Sequence, residues 1–244
     1  MANHLDLEEQ EQLDQLKHFW KQYGNPISWV LIVVLALFAS WNVYNYWQRT
    51  QAAQAAAMFD EVARVSNSGD QAKIDRAFAD MKDRFASTTY AQQAGLMVAK
   101  QYFTLGNLEA AKAALSWVAD KSSDKGYQSI AKLRLAGILG ETKAYEEALT
   151  LLSGTFPKEF EALVADRKGD IFALQAKRTD AVAEYAKAFK GFDDRSDYRR
   201  LVEVKLNALG VDPAAASVAS VVAAESNATV KNTKQVTELD VSKK

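Results

Sequence analysis

Asp166 and Asp170 stand one helical turn apart in VADRKGDIF, a spacing that puts two carboxylates on one helix face. There they could hold a divalent cation or share the acid and base roles of a hydrolytic site. Either chemistry needs further groups, and the sequence is short of them. It has no Cys, and its two His, His4 and His18, both fall within the first eighteen residues. Thiol nucleophiles, disulfides and nearly every zinc constellation are thereby removed, and no Gly-rich phosphate loop is present. The expectation is a protein that is not an enzyme, with no catalytic residue, no metal site and no cofactor. In such a protein Asp166 and Asp170 either line a binding surface or belong to a solvated helix face, with Lys100 paired to a neighbour.

The 244 residues include 30 basic and 31 acidic side chains, so no net field draws the chain to nucleic acid or to anionic lipid. Charge is distributed unevenly: five acids and two lysines precede residue 27, and no charge lies between Lys21 and Arg49. The segment Ile27 to Trp47, ISWVLIVVLALFASWNVYNYW, would as a helix cover about 31 Å, the thickness of a bilayer's hydrocarbon core. Phe19, Trp20, Tyr23 and Trp29 mark one end, and Trp41, Tyr44, Tyr46 and Trp47 the other, as amphipathic rings do at headgroup level. An acidic leader and aromatic residues where a small-residue cleavage site would be argue against a cleaved signal peptide, leaving an uncleaved signal anchor. Lys17 and Lys21 before the span, against Arg49 after it, predict a cytoplasmic N-terminus with the rest of the chain on the far side.

The remainder is helical in pattern, with no strand-like alternation, so the fold class expected is all-α. Three prolines, Pro26, Pro157 and Pro213, fall where the pattern changes: before the span, between two helical segments and before the tail. A repeat of helical hairpins is visible. Ala99, Tyr102, Gly106, Leu108, Ala111, Leu115 and Val118 recur at tetratricopeptide offsets, followed in the same register by Ala136, Leu139, Tyr145, Ala148 and Leu152, and then by Gly169, Phe172, Ala181, Tyr185 and Ala188. Small residues at Ala99, Ala136, Gly169, Ala111, Ala148 and Ala181 would let paired helices approach, while Tyr102, Leu139 and Phe172 would fill the space between hairpins. Ala77 predicts the second helix of a degenerate leading repeat whose first helix is 50–65. A capping helix is expected at 197–209, with Tyr198, Leu201, Val202 and Leu209 on its apolar face. From Gly210 the composition turns to small and polar residues, predicting a flexible tail; Asn227 within it opens a short glycosylation-acceptor pattern that arises readily by chance. The domain plan is thus 1–26 N-terminal tail, 27–47 transmembrane helix, 48–209 tetratricopeptide-like domain and 210–244 tail.

Arrays of this kind bind extended segments or helices on the concave surface lined by each repeat's first helix. Projecting the offsets places Leu96, Lys100, Phe103, Leu133, Gly137, Asp166 and Asp170 on that partner-binding groove.

An acidic stretch running into LKHFWKQYG, a single span, then YNYWQRTQAAQAA and repeats carrying VADRKGD resemble the ancillary SecYEG translocon subunit family of Gram-negative bacteria over about residues 7–209. The resemblance implies an inner-membrane protein with a cytosolic N-terminus and a periplasmic tetratricopeptide-like domain. It implies partners too: the SecYEG translocon, a membrane-anchored periplasmic chaperone of the prolyl-isomerase class, and exported client polypeptides handed to such chaperones. For some members it implies a cytosolic contact with a stress-response regulator. The residues alone leave open a scaffold that coordinates cell-wall or outer-membrane assembly, or an organelle-membrane receptor, because a repeat array carries no short motif for its partner.

Overall fold

The structure, a computed structural model, describes residues 7–213, with side chains from Leu13 onward. His4, Asn227 and the segment 214–244 lie outside the described residues. The chain divides into two compact units between Ala57 and Met58. All the regular elements described are helical, as the period of the sequence requires.

Helix α1 runs from Leu7 to Ser68. Its apolar run is exposed along its length, and α1 alone among the described helices is long and apolar enough to cross a membrane. The Phe19 and Tyr23 rings lie 5.1 Å apart at one end of that run, and those of Tyr44 and Trp47 lie 6.3 Å apart at the other. Two sequence expectations change here. Pro26, expected to punctuate the pattern, lies inside α1. Proline removes one helical hydrogen bond and crowds the carbonyl of the preceding turn, but the apolar run that follows leaves an opened backbone without partners, so the helix continues. The segment 50–65, expected as the first helix of a degenerate leading repeat, is the continuation of α1.

In the second unit α1 ends at Gly69, whose φ of 70° suits a residue without Cβ, and Asp70 then caps α2 (Gln71–Phe85) by accepting from the Lys73 N–H. Three hairpins follow: α3 (Thr89–Thr104) with α4 (Leu108–Lys121), α5 (Lys125–Glu141) with α6 (Tyr145–Leu152), and α7 (Glu161–Leu174) with α8 (Arg178–Gly191). A single 3-10 turn, Lys158–Phe160, begins directly after Pro157. The side chains of Thr88, Asn107 and Asp124 cap α3, α4 and α5.

The register read from the sequence sets the packing. Ala99, Ala136 and Gly169 on the first helices and Ala111, Ala148 and Ala181 on the second are all buried. Gly169 shows how close the approach is, since a Cβ there would lie 2.5 Å from the Tyr185 ring. Tyr102 and Leu139 are buried and Phe172 is partly so. At the leading end α2 packs through Ile74, Ala77, Phe78, Met81 and Phe85; Phe78 meets Trp117 of α4 edge-on at 5.6 Å, and Tyr102 donates to Asp75.

The three hairpin turns share one backbone pattern. Asn107, Ala144 and Lys177 donate to the carbonyls of Tyr102, Leu139 and Phe172, and the residue before each is left-handed: Gly106 (78°), Lys143 (63°) and Ala176 (58°). Glycine adopts that conformation freely, whereas an L side chain there costs roughly 1–2 kcal/mol, partly offset by glycine's greater unfolded-state entropy. Ala176→Gly should therefore raise stability by about 0.5–1 kcal/mol and Gly106→Ala lower it. Thermal unfolding measures both, and a lower melting temperature for Ala176→Gly would show that the turn is not strained.

The array closes with α9 (Asp197–Ala208), which buries Val202 and Leu206 against Ala181, Tyr185, Ala188 and Phe189 of α8. The expected apolar face is corrected by one step around the helix. Leu201 is exposed and Leu206 is buried, because the stripe 202, 206, 209 follows the four- and three-residue spacing that faces α8. Val211 still packs on this cluster, and Arg178 donates to the Leu209 carbonyl.

Candidate functional site

First helices α3, α5 and α7 lie side by side, and between them opens a cavity of about 320 Å³. Lys100 and Phe103 from α3, Gly137 and Ile138 from α5, and Arg167 from α7 line it, with Arg134 and Glu141 at its wall. Helical periodicity explains the set. Counting from the small residues Ala99, Ala136 and Gly169, the next position along each helix carries Lys100, Gly137 and Asp170, and the position two before carries Met97, Arg134 and Arg167. These two rows border one face of each first helix.

The structure brings Lys100, Phe103 and Gly137 together at this cavity. Leu96 and Leu133 belong elsewhere: both are buried and neither lines it. They sit three residues before the small positions, a row that turns toward the interior of the stack. Only the Leu96 backbone takes part near the opening, its carbonyl accepting from Arg134 at 3.4 Å. Arg134, Glu141 and Arg167 were missed by the projection. A signal for two of them was present, since Arg134 and Arg167 share one repeat offset and are separated by 33 residues, as are Ala148 and Ala181.

Asp166 occupies the same inward row as Leu96 and Leu133, and it is 1% exposed. It is therefore not a solvated face. Its Oδ1 lies 2.7 Å from Lys205 Nζ, and its Oδ2 accepts from the Tyr198 hydroxyl at 3.0 Å, both donors coming from α9. Asp170 Oδ1 accepts from Lys205 at 2.6 Å and from the Tyr185 hydroxyl at 2.8 Å, and its Oδ2 lies 3.3 Å from Arg167. Two carboxylates and two cations form a neutral network joining α7, α8 and α9, in which Lys205 bridges the acids. The carboxylates thus hold a lysine where a metal or a substrate proton would be needed for hydrolytic chemistry. No cluster of three or more metal-ligating side chains occurs among the described residues.

The network keeps its tyrosines protonated. Burial, followed by the charge and hydrogen bond of Asp166, pushes the Tyr198 hydroxyl up to about 12, and burial with the Asp170 hydrogen bond moves Tyr185 further in the same direction. Since an unfolded tyrosine ionises near 10, their contribution to stability is complete below that pH and is lost as pH rises from about 10 through 12. Alkaline titration followed by tyrosinate absorbance should accordingly show tyrosines that ionise only as helicity is lost. Full ionisation of every tyrosine with the helical signal intact would contradict this network.

The family model of a tetratricopeptide repeat-like domain matches residues 17–211. A protein of Neisseria gonorrhoeae called ancillary SecYEG translocon subunit is 30% identical over 86% of this chain and 100% of its own length. Proteins with the same name from Haemophilus influenzae and Escherichia coli are 27% and 23% identical, each over 83% of this chain and 98% and 97% of their own. No solved structure matches the chain.

Proposed function

We propose that this chain, which belongs to the ancillary SecYEG translocon subunit family of tetratricopeptide repeat-like proteins, is a non-catalytic scaffold moored beside the SecYEG export channel. Residues 27–47 anchor it in the bacterial inner membrane, residues 1–26 are cytosolic, and the repeat domain lies in the periplasm, followed by a flexible tail from residue 210. There it associates with a membrane-anchored chaperone of the prolyl-isomerase class and passes newly exported polypeptides to it. The observation that carries this reading is the groove between α3, α5 and α7, where Lys100, Phe103 and Gly137 meet an open cavity on a rigid stack of hairpins. Leu96, Leu133, Asp166 and Asp170 support that groove from beneath by fixing its helices. The two lysines before the uncharged span support the orientation.

A photo-crosslinking residue in place of Phe103, in living cells, tests the reading. Adducts with SecYEG, a periplasmic chaperone or a nascent exported chain are expected. Adducts confined to cell-wall or outer-membrane assembly proteins would replace it with an envelope-assembly scaffold. Protease added to spheroplasts should digest the chain beyond Trp47 and spare an N-terminal tag, and the reverse pattern would sink the orientation.

A further inference from the structure

We infer that the groove recognises extended peptide segments in which a carboxylate side chain adjoins a bulky aliphatic or aromatic one. This deepens the scaffold reading above and rests on it. The floor is apolar, formed by Ala99, Leu115, Ile138 and the ring of Phe103, which is 40% exposed. The rim is cationic. Lys100, Arg134 and Arg167 come from three successive first helices and converge on one opening, against the single acid Glu141.

Two of these three cations, Lys100 and Arg134, have no carboxylate partner among the described residues. Among the described residues the Arg134 guanidinium donates to the Leu96 carbonyl, at 3.4 Å. Arg167 has Asp170 at 3.3 Å, a long contact, and the same carboxylate is shared with Lys205 and Tyr185. Guanidinium groups are shaped to take a carboxylate through two parallel N–H bonds, and both arginines present that fork at the same repeat offset. A cavity of about 320 Å³ takes one or two side chains, whereas a docked helix about 10 Å across needs a longer trough. An extended strand that alternates an acidic residue over the rim with an apolar one on the floor satisfies both halves.

The test uses the full chain in detergent micelles and a fluorescein-labelled decapeptide with two Glu flanking one Leu in a Gly and Ser background, read by anisotropy. Its Gln-for-Glu counterpart should bind at least about tenfold more weakly, which corresponds to about 1.4 kcal/mol. The Lys100→Gln, Arg134→Gln double variant should weaken the acidic peptide by a similar factor and remove the difference between the two peptides. Glu141→Gln should tighten the acidic peptide several-fold, a gain that misfolding cannot produce. Equal affinity for both peptides, or an indifferent double variant, would overturn the inference. It would also fall if phosphatidylglycerol micelles, but not unlabelled acidic peptide, displaced the probe, or if the chain dimerised through this groove in a manner abolished by Lys100→Gln. Crosslinking to SecYEG is scored on the wild-type chain separately, so that a scaffold lacking acidic-peptide selectivity is distinguished from a chain that is no scaffold at all.

Discussion

Replacing Lys205 by methionine is expected to destabilise the helical domain by about 3 kcal/mol and lower its melting temperature by roughly 6–12 °C. Among the described residues Lys205 is the one cation within ion-pair distance of Asp166, and it neutralises Asp170 at the same time. Methionine preserves most of the apolar stem and removes only the charge. What remains is a buried carboxylate with the Tyr198 hydroxyl as its one other side-chain donor among the described residues. Removing one partner of a buried pair costs far more than the pair is worth, because the surviving charge keeps its desolvation penalty. The lower part of the usual 3–5 kcal/mol range is appropriate, since Lys205 itself is about a quarter exposed and water can reach the vacated side. Loss should begin at the cap: amide exchange in α9 should accelerate before that in α3 and α4, because α9 is held by this network and by a small cluster around Val202 and Leu206. Adding Asp166→Asn to Lys205→Met removes the orphaned charge and should restore a good part of the stability. A Lys205→Met protein that melts like the wild type, or a double variant less stable than the single, would show that the network does not hold the cap.

The contrast between α9 and the hairpins shows which features a sequence exposes. Ala99, Ala111, Ala136, Ala148, Gly169 and Ala181 were legible because close helix approach admits only small side chains, and that restriction repeats with the unit. Lys143 and Ala176 hid the turns, since neither residue type announces a left-handed backbone, although both stand where Gly106 does in the α3–α4 hairpin. The groove was half legible. Lys100, Phe103 and Gly137 followed from the offsets, but Leu96, Leu133 and Asp166 belong to the inward row four residues earlier than Lys100, Gly137 and Asp170, only about 40° around the helix. No local signal separates those rows, since it is the stacking of one hairpin on the next that decides which is covered. The pairing of Asp166 with Tyr198 and Lys205 spans 32 and 39 residues and depends on where α9 docks, so the spacing of Asp166 and Asp170 taken alone suggested open carboxylates.

The groove and the cap meet at Asp170, which touches Lys205 and Tyr185 on one oxygen and Arg167 on the other. Arg167 in turn lines the cavity and lies 3.5 Å from where a Cβ on Gly137 would be. A side chain at the rim is thus positioned by a residue that the closing helix holds in place, and the geometry of the opening depends on an intact C-terminal hairpin. Rigid positioning of this kind is what a repeat scaffold contributes to recognition, because its hairpins stack through shared cores.

Ala148→Glu is expected to cost at least about 4 kcal/mol, a large share of the roughly 5–15 kcal/mol that stabilises a typical domain, and to unfold the central hairpin. Ala148 is 0% exposed in α6, a helix of eight residues whose only other buried side chain is Leu152. Its N-cap, Ala144, provides no side-chain hydrogen bond, so α6 has little local stability of its own and depends on packing against α5. A glutamate there must either drive its chain into α5 or swing the whole helix outward to reach water. Overpacking accounts for about 1–3 kcal/mol, which Ala148→Leu measures by itself, and an unpaired buried carboxylate supplies the remainder. Because α6 stands between α5 and the α7–α8 hairpin, the damage should spread to the groove and abolish capture of partners along with helicity. Lys100→Glu is the matched control, exposed at the groove and without a carboxylate partner to lose: it should leave helicity and melting unchanged while weakening acidic clients. Circular dichroism on both variants decides the matter. If Lys100→Glu unfolds the domain and Ala148→Glu does not, the small residues do not mark the helix contacts, and the groove derived from them loses its foundation.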